Sequence, residues 1–286
     1  MLSAGWCAQV ACVWEVTARK VGDVNRQHDF ETLTYTDFIL SAAAIAPVLE
    51  SAPQHRVGDT ILGAVRAMRG VKAGNPHLGT ILLLAPLAAV PRGQELPQGI
   101  AVVLDALDLP DARAAYQAIR LAQPSGLGHS AEQDVHGEPS LPLRQVMEQA
   151  AERDLVARQY ATGFREVFEL GLPALLHGIE RTGSIEGGIL FCQLVWLANH
   201  PDSLIVRKRG LAEAAEVSRR ASQVLEFGWP DQPRAEAARA DLDAWLREKG
   251  QGRNPGTTAD LVTACLFAGL REGNIELRQP FAFGRL

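Results

Sequence analysis

Apolar residues recur three and four positions apart along almost the whole chain, and the strict alternation that marks a half-buried strand is scarce. That period predicts an all-α fold: a single globular bundle over residues 1–286, built from about eleven helices. They fall near residues 3–19, 34–52, 57–69, 77–90, 109–122, 141–170, 172–182, 185–199, 210–227, 233–249 and 256–272. Leu155, Tyr160, Phe164, Val167 and Phe168 trace one core-facing stripe, and Leu211, Ala215, Ser218, Ala221 and Leu225 another. Clusters of Gly and Pro at 123–142 and 228–233 break the period as loops rather than as domain linkers.

Composition adds boundaries to this picture. With 28 Lys and Arg against 33 Asp and Glu, the formal charge is -5 and the two signs are interspersed, so no nucleic-acid surface is expected. No stretch reaches the roughly 18 apolar residues of a membrane span; residues 189–198 come nearest, with Gln193 inside. Residues 1–16 lack a basic leader and are interrupted by Gln9 and Glu15, which predicts a buried first helix rather than a secretory segment. Cys7, Cys12, Cys192 and Cys265 form no CxxC pair and read as reduced thiols in a cytoplasmic protein with no membrane partner.

Three polar clusters interrupt the apolar pattern. The first runs Lys20-Val21-Gly22-Asp23-Val24-Asn25-Arg26-Gln27-His28-Asp29, where Asp23 and Asp29 suit a hard cation and Lys20 and Arg26 suit phosphate oxygens; a solvated loop is the alternative. In the second, Lys72-Ala73-Gly74-Asn75-Pro76-His77-Leu78-Gly79-Thr80, Asn75 reads as an N-cap with Pro76 at the first helical position. Such a helix start offers free N–H groups and partial positive charge to a phosphate, and Gly79 would let a ligand approach. The third, Gly252-Arg253-Asn254-Pro255-Gly256-Thr257-Thr258-Ala259-Asp260, repeats the Asn-Pro opening and puts Asp260 one turn into an apolar helix, where it caps, pairs or binds metal. Between them, Asp154 and Arg158 have the spacing of an intrahelical ion pair, and the basic triplet 207–209 reads as a solvated helix start.

No GxxxxGK[ST], GxSxG, HExxH or GxGxxG motif is present, which removes the P-loop, α/β-hydrolase, zincin and dinucleotide-fold classes. Taken in order, the remaining motifs do match a family. Lys20-x-Gly22-x-Val24-x-Arg26 with His28-Asp29, Asn75-x-His77-x-Gly79-Thr80, the segment 202–210, and Asn254-Pro255-Gly256 with Ala259-Asp260-Leu261 resemble the triphosphoribosyl-dephospho-CoA synthases over nearly the whole chain. The resemblance implies an all-helical enzyme that moves the triphosphoribosyl part of ATP to the ribose 2′-hydroxyl of dephospho-CoA, with release of adenine and with Mg²⁺ on the phosphates.

By that resemblance, Arg26, His28, Asp29, Asn75, His77, Gly79, Asn254, Gly256 and Asp260 are carried over as site residues. Breaking the glycosidic bond needs a carboxylate near C1′, an acid for the leaving base and a base for the incoming hydroxyl. Asp29 and Asp260 are the expected metal ligands or oxocarbenium stabilisers, and His28 or His77 the proton carrier. Lys20, Arg26 and Arg207 are expected on the phosphates, with Asp23, Asn25, Thr80 and Thr257 completing the substrate contacts. The chain departs from the family pattern at Val21, where the family has proline, at Asn25, where it has aspartate, and in the missing insert before His28-Asp29. Asn25 offers no carboxylate, so Asp23 is its expected substitute, and the acceptor stands open. The alternatives are a related ribosyl transferase or nucleotide glycosidase and a non-catalytic nucleotide-binding module.

Overall fold

The computed structural model describes residues 2–71, 75–124 and 133–282. Among the described residues there is no strand, and the chain is carried by α1 (Ala4–Thr17), α2 (Tyr35–Glu50), α3 (Val57–Val71), α4 (Leu78–Ala89), α5 (Leu96–Asp105), α6 (Leu109–Ala122), α7 (Leu143–Ala150), α8 (Leu155–Thr162), α9 (Leu172–Thr182), α10 (Ile185–Asn199), α11 (Ser203–Arg209), α12 (Leu211–Glu226), α13 (Pro233–Arg247) and α14 (Gly256–Arg271). Lys72, Ala73 and Gly74 of the second motif, and part of the 123–142 loop, lie outside the described residues.

Among the described residues there are fourteen helices, not eleven, for three local reasons. α5 opens on Leu96-Pro97, with proline in its first turn, and its Gly99 and paired Val102 and Val103 weaken the helical signal. α11 has only 7 residues. The expected helix at 141–170 divides because Asp154 accepts hydrogen bonds from the Val156 and Ala157 N–H groups and so starts α8 afresh. Gly163, at φ 66°, then ends α8, and a π turn at Val167–Gly171 leads into α9. Leu155, Tyr160, Phe164 and Val167 are all buried as the stripe requires, although not on one helix. On α12 the buried face is Ala214, Val217, Ala221 and Val224; Leu211, expected inside, is 64% exposed.

α4 and α14 are apolar on nearly every side, which marks a helix enclosed by others. Ten of the twelve α4 residues are buried. α14 packs on α1, α4, α8, α9, α10 and α11, so these two helices form the axis of the fold. Pro86 inside α4 has no N–H for the Leu82 carbonyl, and the Tyr160 hydroxyl fills that position at 2.6 Å, fixing α8 to α4.

Asp202 joins two helix starts. One carboxylate oxygen accepts from the Leu204 and Ile205 N–H groups at 2.9 and 3.0 Å, and the other accepts from the Thr258 N–H and hydroxyl at 2.7 and 2.8 Å. Burial still pushes its pKa up, because four donors only partly replace water. The basic triplet 207–209 therefore sits in the last turn of α11, not at a helix start, where cations complement the carbonyl end. The four cysteines are free and buried. Among the described residues no single helix is long and apolar enough to cross a membrane.

Candidate active site

The starts of α4 and α14 open into one cavity of about 1100 Å³, which α1, α2, α3, α8 and α11 also line. The two Asn-Pro turns that precede these helices are not equivalent. Asn75 Oδ1 accepts the Leu78 N–H at 2.9 Å as the expected cap, but α4 begins only at Leu78, so Pro76 precedes the helix rather than taking its first position. At α14 the Asn254 carboxamide oxygen caps no helix N–H; it accepts from the Lys208 ammonium at 3.1 Å.

The contact between these helix starts is the centre of the site. The Thr80 hydroxyl lies 2.6 Å from Asp260 Oδ1, and Asp260 Oδ2 occupies the space that a Cβ on Gly79 would need, only 2.0 Å from where that atom would stand. Gly79 thus makes room for a carboxylate of the protein. Burial pushes the Asp260 pKa well up, with Thr80 opposing the shift and the negative charges of Glu15 and Asp23 adding to it. Asp23 and Glu15 line the same cavity.

Glu15 is a site residue that the sequence reading passed over, although its signal was present: one carboxylate on an otherwise apolar helix. It is 3% exposed, and burial raises its pKa to about 7 against the pull of Lys20. Lys20 is itself 1% exposed, with its ammonium 3.0 Å from Glu15 Oε1 and donating to the Glu15 and Val24 carbonyls at 2.8 and 3.1 Å. Arg69, from the last turn of α3, also lines the cavity, and among the described residues no hydrogen bond or ion pair engages it. Nothing in the sequence distinguished it from a surface arginine.

His77 is 2% exposed in the cavity wall. Its Nδ1 meets the Ser41 hydroxyl at 2.8 Å and its ring stands edge-on to Phe38 at 5.1 Å, while Nε2 is buried without a partner. Desolvation alone lowers its pKa to about 3, so the ring is neutral at physiological pH.

The rest of the first motif turns elsewhere. Arg26 donates to the Thr17 carbonyl and pairs at 3.0 Å with Glu186, a fully buried carboxylate that also takes a bidentate contact from Arg19. Asn25 and His28 exchange backbone hydrogen bonds across a tight turn, each at 3.0 Å. His28 and Asp29 are exposed, and Asp29 caps the Tyr35 N–H at 2.6 Å. Of that motif's predicted residues only Asp23 lines the cavity, so Asp29 and Asp260 are not brought together.

On the far wall, Arg207 pairs with Asp154, and Arg158 pairs with Glu166 at 2.9 Å. The expected Asp154–Arg158 pair is therefore replaced, because Asp154 is spent on capping α8 and on α11. Lys208, its pKa lowered by burial, donates to the Gln251 carbonyl at 3.0 Å besides Asn254. Gly256 and Thr257 complete the lining; a Cβ on Gly256 would meet Leu204 at 2.7 Å. Among the described residues no group of three or more His, Cys, Asp or Glu is arranged to hold a metal ion.

No curated protein matches the chain. Among solved structures, one from Archaeoglobus fulgidus described as a triphosphoribosyl-dephospho-CoA synthase is 27% identical. The match covers 82% of this chain and 98% of that one, with a TM-score of 0.63. The family model of the ATP:dephospho-CoA triphosphoribosyl transferases matches residues 1–279, which include both axial helices and every motif that lines the cavity. With its whole helical framework matched in this way, the chain belongs to the CitG family, a family of transferases that use ATP and dephospho-CoA.

Proposed function

We propose that the transfer takes place in the cavity between the starts of α4 and α14, with the acceptor's ribose 2′-hydroxyl attacking C1′ of ATP and adenine leaving. The observation that carries this reading is the Asp260 carboxyl, set against the backbone of α4 by Gly79 and held by Thr80. A carboxylate in a desolvated cleft, next to two positive helix ends, suits a reaction that builds positive charge on C1′ and moves a triphosphate.

The chain's own groups divide the work as follows. Asp260 faces the developing positive charge at C1′. Glu15, with a pKa of about 7, is poised to take the proton of the acceptor hydroxyl. The helix starts at Leu78 and Gly256, together with Arg69, Arg207 and Lys208, bind the phosphate oxygens. Lys20 sets the Glu15 carboxylate in place, and Arg26 fastens the first motif to α10.

Mg²⁺ fits this site only as an ion carried on the phosphates. Such an ion keeps several waters and needs one or two carboxylates rather than a protein cage, and Asp23 and Asp260, which line the cavity beside Glu15, are the carboxylates that would hold it. When bound it would neutralise the triphosphate. We place the reaction in the cytoplasm, where ATP is abundant.

The test is free adenine, measured by chromatography after incubation of the protein with Mg·ATP. Release that requires dephospho-CoA supports the transfer, release without it indicates a nucleotide glycosidase, and tight ATP binding with no release indicates a binding module.

A further inference from the structure

We propose that Ser41, a residue outside every family motif described above, holds His77 as its Nε2–H tautomer, so that His77 offers a neutral hydrogen-bond donor to the purine ring of ATP. This rests on the transfer reading and gives His77 a role other than proton carrier.

The argument starts from the hydroxyl. Ser41 is fully buried on α2, and its only hydrogen-bond partner among the described residues is His77 Nδ1, at 2.8 Å. Serine in mid-helix ordinarily returns its proton to the carbonyl four residues back. Ser41 makes no such bond, so its proton has one acceptor in reach, the Nδ1 lone pair. The opposite arrangement, Nδ1–H donating to the hydroxyl, would strand the serine proton in a buried site, a cost that folded proteins avoid. A neutral imidazole whose Nδ1 accepts carries its proton on Nε2. That N–H is buried and unpartnered, on a residue that lines the cavity.

The chemistry of the surroundings selects the ligand group. Phe38 stands edge-on to the imidazole, and Phe30, Leu33, Leu78 and Leu82 line the same cavity. Desolvation is the cause of the lowered His77 pKa. The charged groups that line the cavity, among them Glu15, Asp23, Arg69, Arg207, Lys208 and Asp260, come from elements other than α4. A neutral donor among apolar and aromatic side chains suits an uncharged heterocycle rather than a phosphate.

As the C1′–N9 bond breaks, its electron pair leaves on the purine, and a fixed donor to ring nitrogen N3 or N7 stabilises that charge without giving up its proton. The acceptor oxygen forms the new bond to C1′ while its proton passes to Glu15; the purine takes a proton from water, and Glu15 returns its own to the hydroxide left behind, so that the enzyme and the water are restored.

Two measurements test this. The first needs no turnover: long-range ¹H–¹⁵N spectra of histidine-labelled protein, with His77→Gln identifying the signal. The expected result is a single Nε2–H tautomer in wild type, unchanged from about pH 5 to 8, and mixed tautomers in Ser41→Ala. An Nδ1–H tautomer in wild type, or titration within that range, overturns the proposal.

The second is adenine release. His77→Gln, whose amide reaches as far as Nε2, should keep turnover within about tenfold, whereas His77→Asn and Ser41→Ala should lose about 100-fold or more in kcat with KM for dephospho-CoA unchanged. Either 3-deaza- or 7-deaza-ATP should be slow with wild type and no slower with His77→Asn. Equal sensitivity of wild type and His77→Asn to both analogues overturns the purine contact. Absence of adenine release from wild type would instead remove the transfer reading, and the tautomer result would stand apart from it.

Discussion

The first polar motif and the Asn-Pro motifs both carry ionisable side chains, the first many more of them, and the fold uses the two in opposite ways. At 20–30 the charges find partners within the protein: Lys20 with Glu15, Arg26 with Glu186, Asp29 with the start of α2. At 75–80 and 254–260 they are brought to the cavity and left partly unsatisfied, with an orphan Nε2 on His77 and a carboxyl on Asp260 whose pKa burial has raised. Satisfied charges hold a structure together, whereas a functional site keeps groups whose best partner arrives with the ligand. The contrast separates an anchor from a reactive wall, and Asp23 and Glu15 are the points where the two meet.

The sharpest way to break that contrast is Asp260→Asn. Turnover should fall by roughly 10³-fold, a loss typical of a positioned carboxyl group. Stability should move the other way. A carboxyl whose folded pKa is raised contributes stability only at low pH, so at neutral pH Asp260 costs stability, and the Asn variant should melt no lower than wild type. A large fall in melting temperature with normal turnover would make Asp260 part of the anchor.

Glu15→Gln comes next, with an expected loss of about 100-fold in kcat. In wild type, kcat/KM should rise with pH through about 7 as Glu15 loses its proton, and the variant should lack that limb. The folded pKa is raised from 4.5, so the stability that Glu15 contributes is present below 4.5 and lost as pH rises through about 7. Activity and thermal stability should therefore have opposite slopes across that window, and both slopes should flatten in Glu15→Gln.

Gly79→Ala should cost about as much, roughly 100-fold, by displacing Asp260 rather than removing it. Alanine is the better helix former by about 1 kcal/mol, but its Cβ would overlap the Asp260 carboxylate. A second change, Asp260→Asn in the Gly79→Ala background, should add little further loss, since the carboxyl is already out of place.

The helical class and most helix positions were legible because burial on a 3.6-residue period leaves a direct trace in the sequence. Helix ends were less so: the break at Asp154 and the short α11 depend on capping contacts, and Asp202 serves Thr258 from far along the chain. In the site, His77, Thr80 and Asp260 were legible because polar residues bordering an apolar helix demand an explanation. Glu15 and Arg69 were not singled out, because the first passed as an interruption of an apolar run and the second as an ordinary surface cation. Which way Arg26 points is decided by Glu186 on α10, a partner that no local pattern reveals.

Arg26 provides the smallest expected effect on activity and the cleanest test of the anchor. Its guanidinium is engaged by Glu186 and the Thr17 carbonyl, and Glu186 retains a bidentate bond to Arg19 when Arg26 is removed. Arg26→Ala should therefore lower stability by about 1 kcal/mol and leave kcat/KM for ATP within about twofold of wild type. Glu186→Gln should lower stability further, by about 3 kcal/mol, because two arginines lose a fully buried counter-charge. Chemical denaturation beside steady-state kinetics separates the outcomes. If Arg26→Ala instead raises KM for ATP tenfold with stability intact, the arginine reaches substrate, and the first motif belongs to the reactive wall rather than to the anchor.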